Sequence, residues 1–135
     1  MTRFVIDAPT LLHVVDHELA IHPDHRLVAP QGIRPQALTL LLTAVRNGER
    51  IEADALAAHE RLTELKMRLL GDRVSRRTAW KLARAQQWDS LQDAEYLAVT
   101  QLQADALITV DPAMTRKARG IVELADIGAL AAAEG

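Results

Sequence analysis

The sequence predicts one α/β domain with a parallel sheet of about four to five strands and helices on both faces. Two short apolar runs, Phe4–Ile6 and Ala106–Val110, are each followed by an aspartate and then by a proline within two residues. Such a pattern is typical of a buried strand that turns directly into a helix. Stretches with helical apolar spacing separate these runs, and 135 residues suit a single core.

The first half of the chain alternates between strand and helix. The predicted elements are strand Phe4–Ile6, helix Pro9–Leu19, strand Leu27–Ala29 and helix Gly32–Arg46. Leu11, Val15 and Leu19 fall on one side of the first helix, and Asn47-Gly48 is a typical stop for the second.

The second half is richer in helix. The predicted elements are helix Glu52–Leu70 closed by Gly71, helix Ser75–Gln87, a helix from Ser90, strand Ala106–Val110, a short helix from Pro112, a weak strand at Ile121–Val122 and an alanine-rich terminal helix. The two helices between Glu52 and Gln87 are expected to form a helical hairpin inserted into the sheet topology.

Composition excludes several classes of site and location. The chain has no cysteine, so disulfides, thiolate zinc sites and cysteine nucleophiles are excluded, as fits a cytoplasmic protein. Only three apolar residues separate Arg3 from Asp7, too few for a secretory signal. No apolar stretch approaches the length that a membrane helix needs.

Charge is unevenly distributed along the chain. The net charge of −2 argues against nonspecific coating of nucleic acid. Between Arg61 and Arg84, however, eight cations are opposed only by Glu64 and Asp72. This basic stretch would hold an RNA backbone electrostatically, or it is simply the solvated face of a helix.

Asp7 and Asp111 follow the two apolar runs directly. Ligands of open parallel sheets bind outside the carboxyl ends of the strands, so the two carboxylates meet there if the strands are neighbours. Paired carboxylates favour a hard cation such as Mg²⁺ or Mn²⁺. Each aspartate could instead be only the N-cap of the helix behind it, and the two roles are compatible.

Asp93 is a third candidate ligand at the same edge. It lies in the first turn of the helix that Ser90 opens, where an acid three residues after a serine is close to a capping box. Glu95 points to the other side of that helix and is not expected to share a site with Asp93.

Two parts of the chain resemble PIN-domain nucleases. Val5-Ile6-Asp7, with a helix directly behind it, is similar to the start of that family. The run Asp93–Ala98, followed by Ala106–Asp111, is similar to its C-terminal half. The likeness covers nearly the whole chain in the right order, and single-domain members of this size are most often VapC-type toxins.

The resemblance implies a fold and an activity. The fold would be one Rossmann-like, PIN-like domain over residues 1–135, and the activity Mg²⁺- or Mn²⁺-dependent endoribonuclease cleavage of RNA. Asp7, Asp93 and Asp111 would be the catalytic metal ligands, and Thr109 a supporting hydroxyl. RNA would be held by Arg68, Arg73, Arg76, Arg77 and Lys81. The family also implies an antitoxin partner, clamped at the helical hairpin, and a homodimer.

Two positions depart from the family pattern. Gln36 stands where the family usually carries a glutamate; its carbonyl oxygen can meet a metal or a metal-bound water, but it brings no charge. Pro9 stands where a small hydroxyl residue is common, with Thr10 next to it.

Other functions remain open from the sequence. A PIN-like RNA- or protein-binding module without catalysis is favoured by Gln36 and opposed by the three aspartates. A phosphatase or receiver-like domain with Asp7 as nucleophile would need a second acid directly behind it, which Ala8-Pro9-Thr10 lacks. The histidines at 13, 17, 22 and 25 have a zinc-compatible spacing in part, but polar surface positions explain them better.

Overall fold

The computed structural model describes residues 1–133. Five strands are present: β1 (Thr2–Ile6), β2 (His25–Pro30), β3 (Arg68–Leu70), β4 (Ala106–Ile108) and β5 (Leu124–Ala125). The helices are α1 (Ala8–Asp16), α2 (Ile33–Arg46), α3 (Glu52–Glu64), α4 (Arg73–Gln86), α5 (Gln92–Gln103) and α6 (Pro112–Ala118). A short 3₁₀ helix, Ile127–Leu130, follows β5.

The strands form one all-parallel sheet in the order β3-β2-β1-β4-β5. In this order β1 lies between β2 and β4, with Val5 beside both Val28 and Leu107. From β1 the chain adds β2 and β3 on one side, and it later adds β4 and β5 on the other side. The gap between β1 and β4 is therefore the topological switch point. The carboxyl ends of these two strands are the ones that carry Asp7 and Asp111.

Helices cover both faces of the sheet. Helices α1, α2 and α3 pack together in one layer, whereas α4 packs on α5, which lies against β1 and β2. Right-handed crossovers place these two layers on opposite faces. The central strands are fully buried through Val5, Ile6, Leu107 and Ile108. The predicted α/β class, with about four to five parallel strands, is confirmed, and the arrangement is consistent with a Rossmann-like, PIN-like fold.

The predicted helix Glu52–Leu70 is wrong in its last turns. Helix α3 ends at Glu64, and Arg68–Leu70 form β3, which pairs with Val28–Pro30 of β2. The segment is rich in residues that favour helix, but strand pairing and the packing of Leu69 and Leu70 on the core outweigh that local preference. The helical hairpin is therefore wrong as well, because β3 separates α3 from α4 and the two helices lie in different layers.

The predicted C-terminal elements are shifted. Ile121 and Val122 lie in a turn, and the last strand is Leu124–Ala125, where Leu124 pairs with Leu107. The alanine-rich terminal helix is wrong for the described residues, which form only the 3₁₀ turn Ile127–Leu130; the final two residues, 134 and 135, lie outside the described range. No helix within residues 1–133 is long and apolar enough to cross a membrane.

Candidate active site at the switch point

A cleft opens at the carboxyl ends of β1 and β4. Its volume is about 390 Å³, and we call it the aspartate cleft. It is lined by Asp7, Ala8, Pro9, Pro35, Gln36, Thr39, Leu40, Gln92, Asp93, Tyr96, Asp111 and Met114. All three aspartates that the sequence singled out, together with Gln36, therefore line one cleft, although they come from four different elements and their flanks.

Asp7 is buried at the end of β1 and is the N-cap of α1. Its Oδ1 accepts a hydrogen bond from the Thr10 backbone N–H (3.2 Å) and a short one from the Thr10 hydroxyl. Its Oδ2 accepts a bond of 2.7 Å from the Thr109 hydroxyl. The capping role predicted for Asp7 is confirmed, and it coexists with a place in the cleft.

The two threonines tie β1 to the segment that follows β4. Thr10 Oγ1 accepts a bond from the Val110 backbone N–H (3.0 Å), and Thr109 Oγ1 accepts one from the Asp111 backbone N–H (3.1 Å). Because each hydroxyl donates to Asp7 and accepts from a backbone N–H of the segment after β4, the Asp7 carboxylate is held in one orientation. Pro9 has no hydroxyl, so at this point of the chain the hydroxyl group comes from the neighbouring Thr10.

Burial raises the pKa of Asp7 above its ordinary value, because a carboxylate with 2% exposure has little water around it. The negative charge of Asp111 raises it further, whereas the bonds from Thr10 and Thr109 oppose the rise. The folded chain therefore holds two mutually repelling carboxylates at the switch point. A cation between them would relieve both the desolvation and the repulsion.

Asp111 caps α6 while it lines the cleft. Its Oδ1 accepts a bond of 3.0 Å from the Ala113 backbone N–H, and Pro112 begins the helix as the sequence predicted. The other carboxylate oxygen has no hydrogen bond within the described residues, and the side chain is only half-buried. Asp111 can therefore offer an oxygen ligand without losing its cap.

Asp93 has a different partner from the one expected. The capping box with Ser90 is wrong: Leu91 is the N-cap of α5, and Ser90 Oγ accepts from the Gln92 N–H instead. Asp93 Oδ2 forms an ion pair of 2.5 Å with Lys117 Nζ of α6. That ammonium also lies 5.5 Å from the ring centre of Trp88. Lys117 is thus the counter-ion of Asp93 in this conformation.

Gln36 lies in the cleft and is bonded there. Its Oε1 accepts a hydrogen bond of 2.6 Å from the hydroxyl of Tyr96, which is buried in α5 one turn after Asp93. Desolvation raises the pKa of Tyr96, and the charges of Asp7 and Asp93 raise it further, so the hydroxyl stays protonated and keeps donating. One lone pair of the Gln36 carbonyl is therefore occupied by Tyr96.

The predicted RNA-binding residues divide between two ends of the sheet. Arg73, Arg76 and Arg77 are exposed in the first two turns of α4, which starts beside the carboxyl end of β3. Lys81 is exposed further along that helix. Arg76 reaches back to the Gly71 carbonyl. Arg68, in contrast, stands at the start of β3 and lines a cavity at the amino ends of the strands. The structure therefore does not bring Arg68 to the cleft.

The histidines are not gathered around the cleft. The rings of His13 and His17 stack at 4.1 Å on α1, and His25 Nε2 lies 2.6 Å from the Ala132 carbonyl oxygen. His22 lies 3.7 Å from a carboxylate oxygen of Asp24. Each of these four histidines therefore contacts residues outside the aspartate cleft.

The carboxylate oxygens of the aspartate cleft are ligands that a hard cation prefers, but they do not surround a complete metal site. Within residues 1–133, no group of three His, Cys, Asp or Glu side chains is close enough to hold a metal ion. Mg²⁺, however, is commonly held by one or two carboxylates, and water and substrate phosphate complete its shell. Asp7 and Asp111 offer the two carboxylates of such a site, whereas the Asp93 carboxylate is paired with Lys117.

Sequence reasoning missed several residues that line or support the cleft. Tyr96 lies three residues after Asp93, and Thr39 three after Gln36, so helical spacing could have found both. Thr10 was visible as the hydroxyl beside Pro9. Lys117 gave no signal, because its contact with Asp93 depends on how α6 lies beside α5.

Comparisons with known proteins support the fold and say nothing about activity. No protein-family model matches the chain, and no curated protein matches it. The chain is similar to a solved structure described as the crystal structure of PAE2754 from Pyrobaculum aerophilum, with a TM-score of 0.68 and 20% sequence identity. The alignment covers 96% of this chain and 93% of that one. At this identity the likeness concerns the fold alone.

Proposed function

We propose that the protein is a Mg²⁺- or Mn²⁺-dependent endoribonuclease that hydrolyses RNA phosphodiester bonds. The observation that carries this proposal is the gathering of Asp7, Asp93 and Asp111 in one cleft at the switch point. These residues come from positions 7, 93 and 111 of the chain, and capping alone explains only the first and the last. The resemblance to PIN-domain nucleases supports the same reading.

Each cleft residue would have a separate task. Asp7 and Asp111 would hold the cation, and Thr10 and Thr109 would keep the Asp7 carboxylate turned toward it. A bound Mg²⁺ or Mn²⁺ would neutralise phosphate charge and lower the pKa of a water. Asp93 would hold a further water or the cation, and Lys117, once released, would pair with a phosphate.

RNA would reach the cleft along the N-terminal end of α4. Arg76 lines a small recess together with Gly32 and Glu95, directly beside the start of α2, which carries Gln36. Phosphates bound by Arg73 and Arg77 would therefore lie on the same edge of the sheet as the aspartates. Aromatic residues make up only 3% of the chain, so stacking of bases is not expected to drive recognition.

The biological setting follows from the resemblance. We propose a cytoplasmic toxin of a type II toxin–antitoxin pair, whose antitoxin covers the cleft, and a homodimer as the working form. The exposed Leu38 and Leu42, one turn apart on α2, offer apolar surface for such a contact. Light scattering of the purified chain, with Leu42→Ser as the variant, tests the dimer; an unchanged mass would exclude this surface.

A second candidate is a PIN-like RNA- or protein-binding module that has lost catalysis. Two contacts favour it: the Gln36 carbonyl is bonded to Tyr96, and Asp93 is paired with Lys117. In that reading the cleft holds no catalytic cation, and the basic end of α4 is the functional surface.

Cleavage of a mixed structured-RNA substrate distinguishes the two candidates. The wild-type chain is incubated with Mn²⁺ or Mg²⁺ beside Asp7→Asn, an EDTA control and the matched variant Asp54→Asn, which removes an exposed carboxylate of α3. The nuclease proposal expects metal-dependent cutting by wild type and Asp54→Asn and none by Asp7→Asn. RNA binding without cutting, with all chains folded, supports the module instead.

A further inference from the structure

A second and larger cavity lies at the opposite end of the sheet from the aspartate cleft. Its volume is about 650 Å³, and it opens at the amino ends of β1, β2 and β3. Four basic side chains line it: Arg3, Arg26, Lys66 and Arg68. No aspartate or glutamate lines it within the described residues, and we call it the basic cavity.

The strand register brings three of these cations to one face of the sheet. Arg3 of β1 is paired with Arg26 of β2, and Arg68 of β3 is paired with Val28, two residues further along β2. Residues paired side by side, and residues two apart on a strand, point to the same face. Three guanidinium groups from three adjacent strands therefore share one face, where like charges repel.

Within residues 1–133, no side-chain carboxylate is paired with these four cations. Asp105 lies near Arg3 but accepts from its backbone N–H, at 2.8 Å. The Arg26 guanidinium donates hydrogen bonds to the Pro23 and His25 backbone carbonyls, which are uncharged acceptors. In the part of the chain that the structure describes, the four cations are therefore held in position without a carboxylate partner.

We infer that the basic cavity binds a phosphate-bearing small molecule of nucleotide size. Arginine forks match phosphate oxygens, and a cavity of this volume is in the usual range for such ligands. The remaining lining is largely apolar, with Ile21, Leu27, Leu65 and Met67 available to pack against a base. This inference does not depend on the proposed nuclease activity, because the two sites lie at opposite ends of the strands.

Calorimetric titration of the full chain with ADP tests the inference, with pyrophosphate and adenosine as separate probes. EDTA is present throughout, so that divalent cations at the aspartate cleft make no contribution. The double variant Lys66→Gln/Arg68→Gln removes two exposed cations of the cavity. The matched control Arg46→Gln/Arg119→Gln removes two exposed cations elsewhere and changes the net charge equally. Circular dichroism verifies the fold of each variant.

We expect saturable one-to-one binding of ADP, weaker binding of pyrophosphate and none of adenosine. The cavity variant should lose about tenfold to a hundredfold in affinity, as removal of charge-assisted bonds does, and the control should keep wild-type affinity. Absence of saturable binding, or an equal loss in the control, overturns the inference. It is overturned as well if a short oligoribonucleotide displaces ADP and binds this cavity more tightly, since the cavity would then be part of an RNA path.

Discussion

Asp7 is the residue on which the candidate site depends most, and its negative charge stands in an unfavourable place. It is almost completely buried, its pKa is raised by burial, and Asp111 repels it. Buried carboxylates with a raised pKa are common at functional sites. Replacing such a residue often increases the stability of the protein at the expense of its function.

Asp7→Asn should therefore stabilise the metal-free protein at neutral pH. Because the folded-state pKa of Asp7 lies above its unfolded value, the ionised carboxylate costs stability above the folded-state pKa. That cost shrinks as pH falls below the folded-state pKa and is gone below the unfolded value. We expect a melting temperature a few degrees higher, the shift that about 1 kcal/mol produces in a domain of this size.

The pH dependence of the difference in melting temperature distinguishes the charge of Asp7 from other causes of a change in stability. The difference between Asp7→Asn and wild type should be largest near neutral pH and should vanish below the ordinary Asp value of 3.8. Thermal melts across this range measure it. Adding Mn²⁺ should raise the melting temperature of wild type but not of the variant. A variant that melts lower than wild type at neutral pH would show that the bonds to Thr10 and Thr109 outweigh the charge.

Gln36→Glu should strengthen cation binding at the cleft. A carboxylate at this position can still accept the Tyr96 hydroxyl bond, and it adds a negative charge beside Asp7 and Asp93. Affinity for hard cations rises with ligand charge, so we expect about tenfold tighter Mn²⁺ binding, measured by calorimetry. Gln103→Glu, an exposed change outside the cleft, is the matched control. Equal affinity in all three chains would mean that position 36 takes no part in binding the cation.

At the scale of elements, α4 carries its charges on the side away from the core. Ser75, Ala79 and Ala83 are buried, while the basic side chains are exposed. Asp72 is the N-cap of the helix, and its carboxylate accepts a hydrogen bond from the Ser75 N–H at 2.8 Å. Its basic face can therefore be altered without touching the core.

The variant Arg73→Gln/Arg77→Gln should weaken RNA binding and flatten its dependence on salt. Each lost phosphate contact lowers the slope of log affinity against log salt by about 0.7 to 0.9. We therefore expect a slope smaller by roughly 1.5 for two contacts, measured by fluorescence anisotropy with a labelled RNA at several salt concentrations. Arg46→Gln/Arg119→Gln should keep the wild-type slope; a change of equal size there would indicate only a general charge effect.

Elements differ in how far the sequence predicts them. The end of β1 is predictable because an apolar run followed by aspartate and proline is a local signal. The same signal finds β4 but extends it to Val110, whereas the strand ends at Ile108. Strand β3 is not predictable in this way, because Arg68–Leu70 is short and made of residues that also suit a helix; only its pairing with β2 makes it a strand. The ion pair of Asp93 with Lys117 depends on the packing of two helices, which no local pattern encodes.

At the scale of the whole molecule, opposite charges collect at the two ends of one sheet. The carboxyl ends of the strands carry the aspartates, and the amino ends carry the cations of the basic cavity. The net charge of −2 hides this separation. A hard cation at the aspartates and a phosphate-bearing small molecule at the basic cavity would therefore bind at opposite ends of the sheet.

The fold as a whole should depend on β4. A fragment that ends at Ala104 lacks the strand beside β1 and exposes the apolar residues Val5 and Ile6, which are fully buried in the complete fold. We expect no cooperative thermal transition for this fragment by circular dichroism, whereas a chain that ends at Ala133 should melt cooperatively. A cooperative transition of the shorter fragment would show that β1–β3 and their helices form an independent core.

The bond from Thr109 to Asp7 also has a consequence in time. It joins residues 102 positions apart, and it forms where β4 inserts beside β1. During translation, Asp7 and Asp93 leave the ribosome before the strand that unites them exists. Contacts between distant residues form late, since the intervening loop must first be closed. Every growing chain is therefore without its cleft until β4 has been synthesised and has left the ribosome.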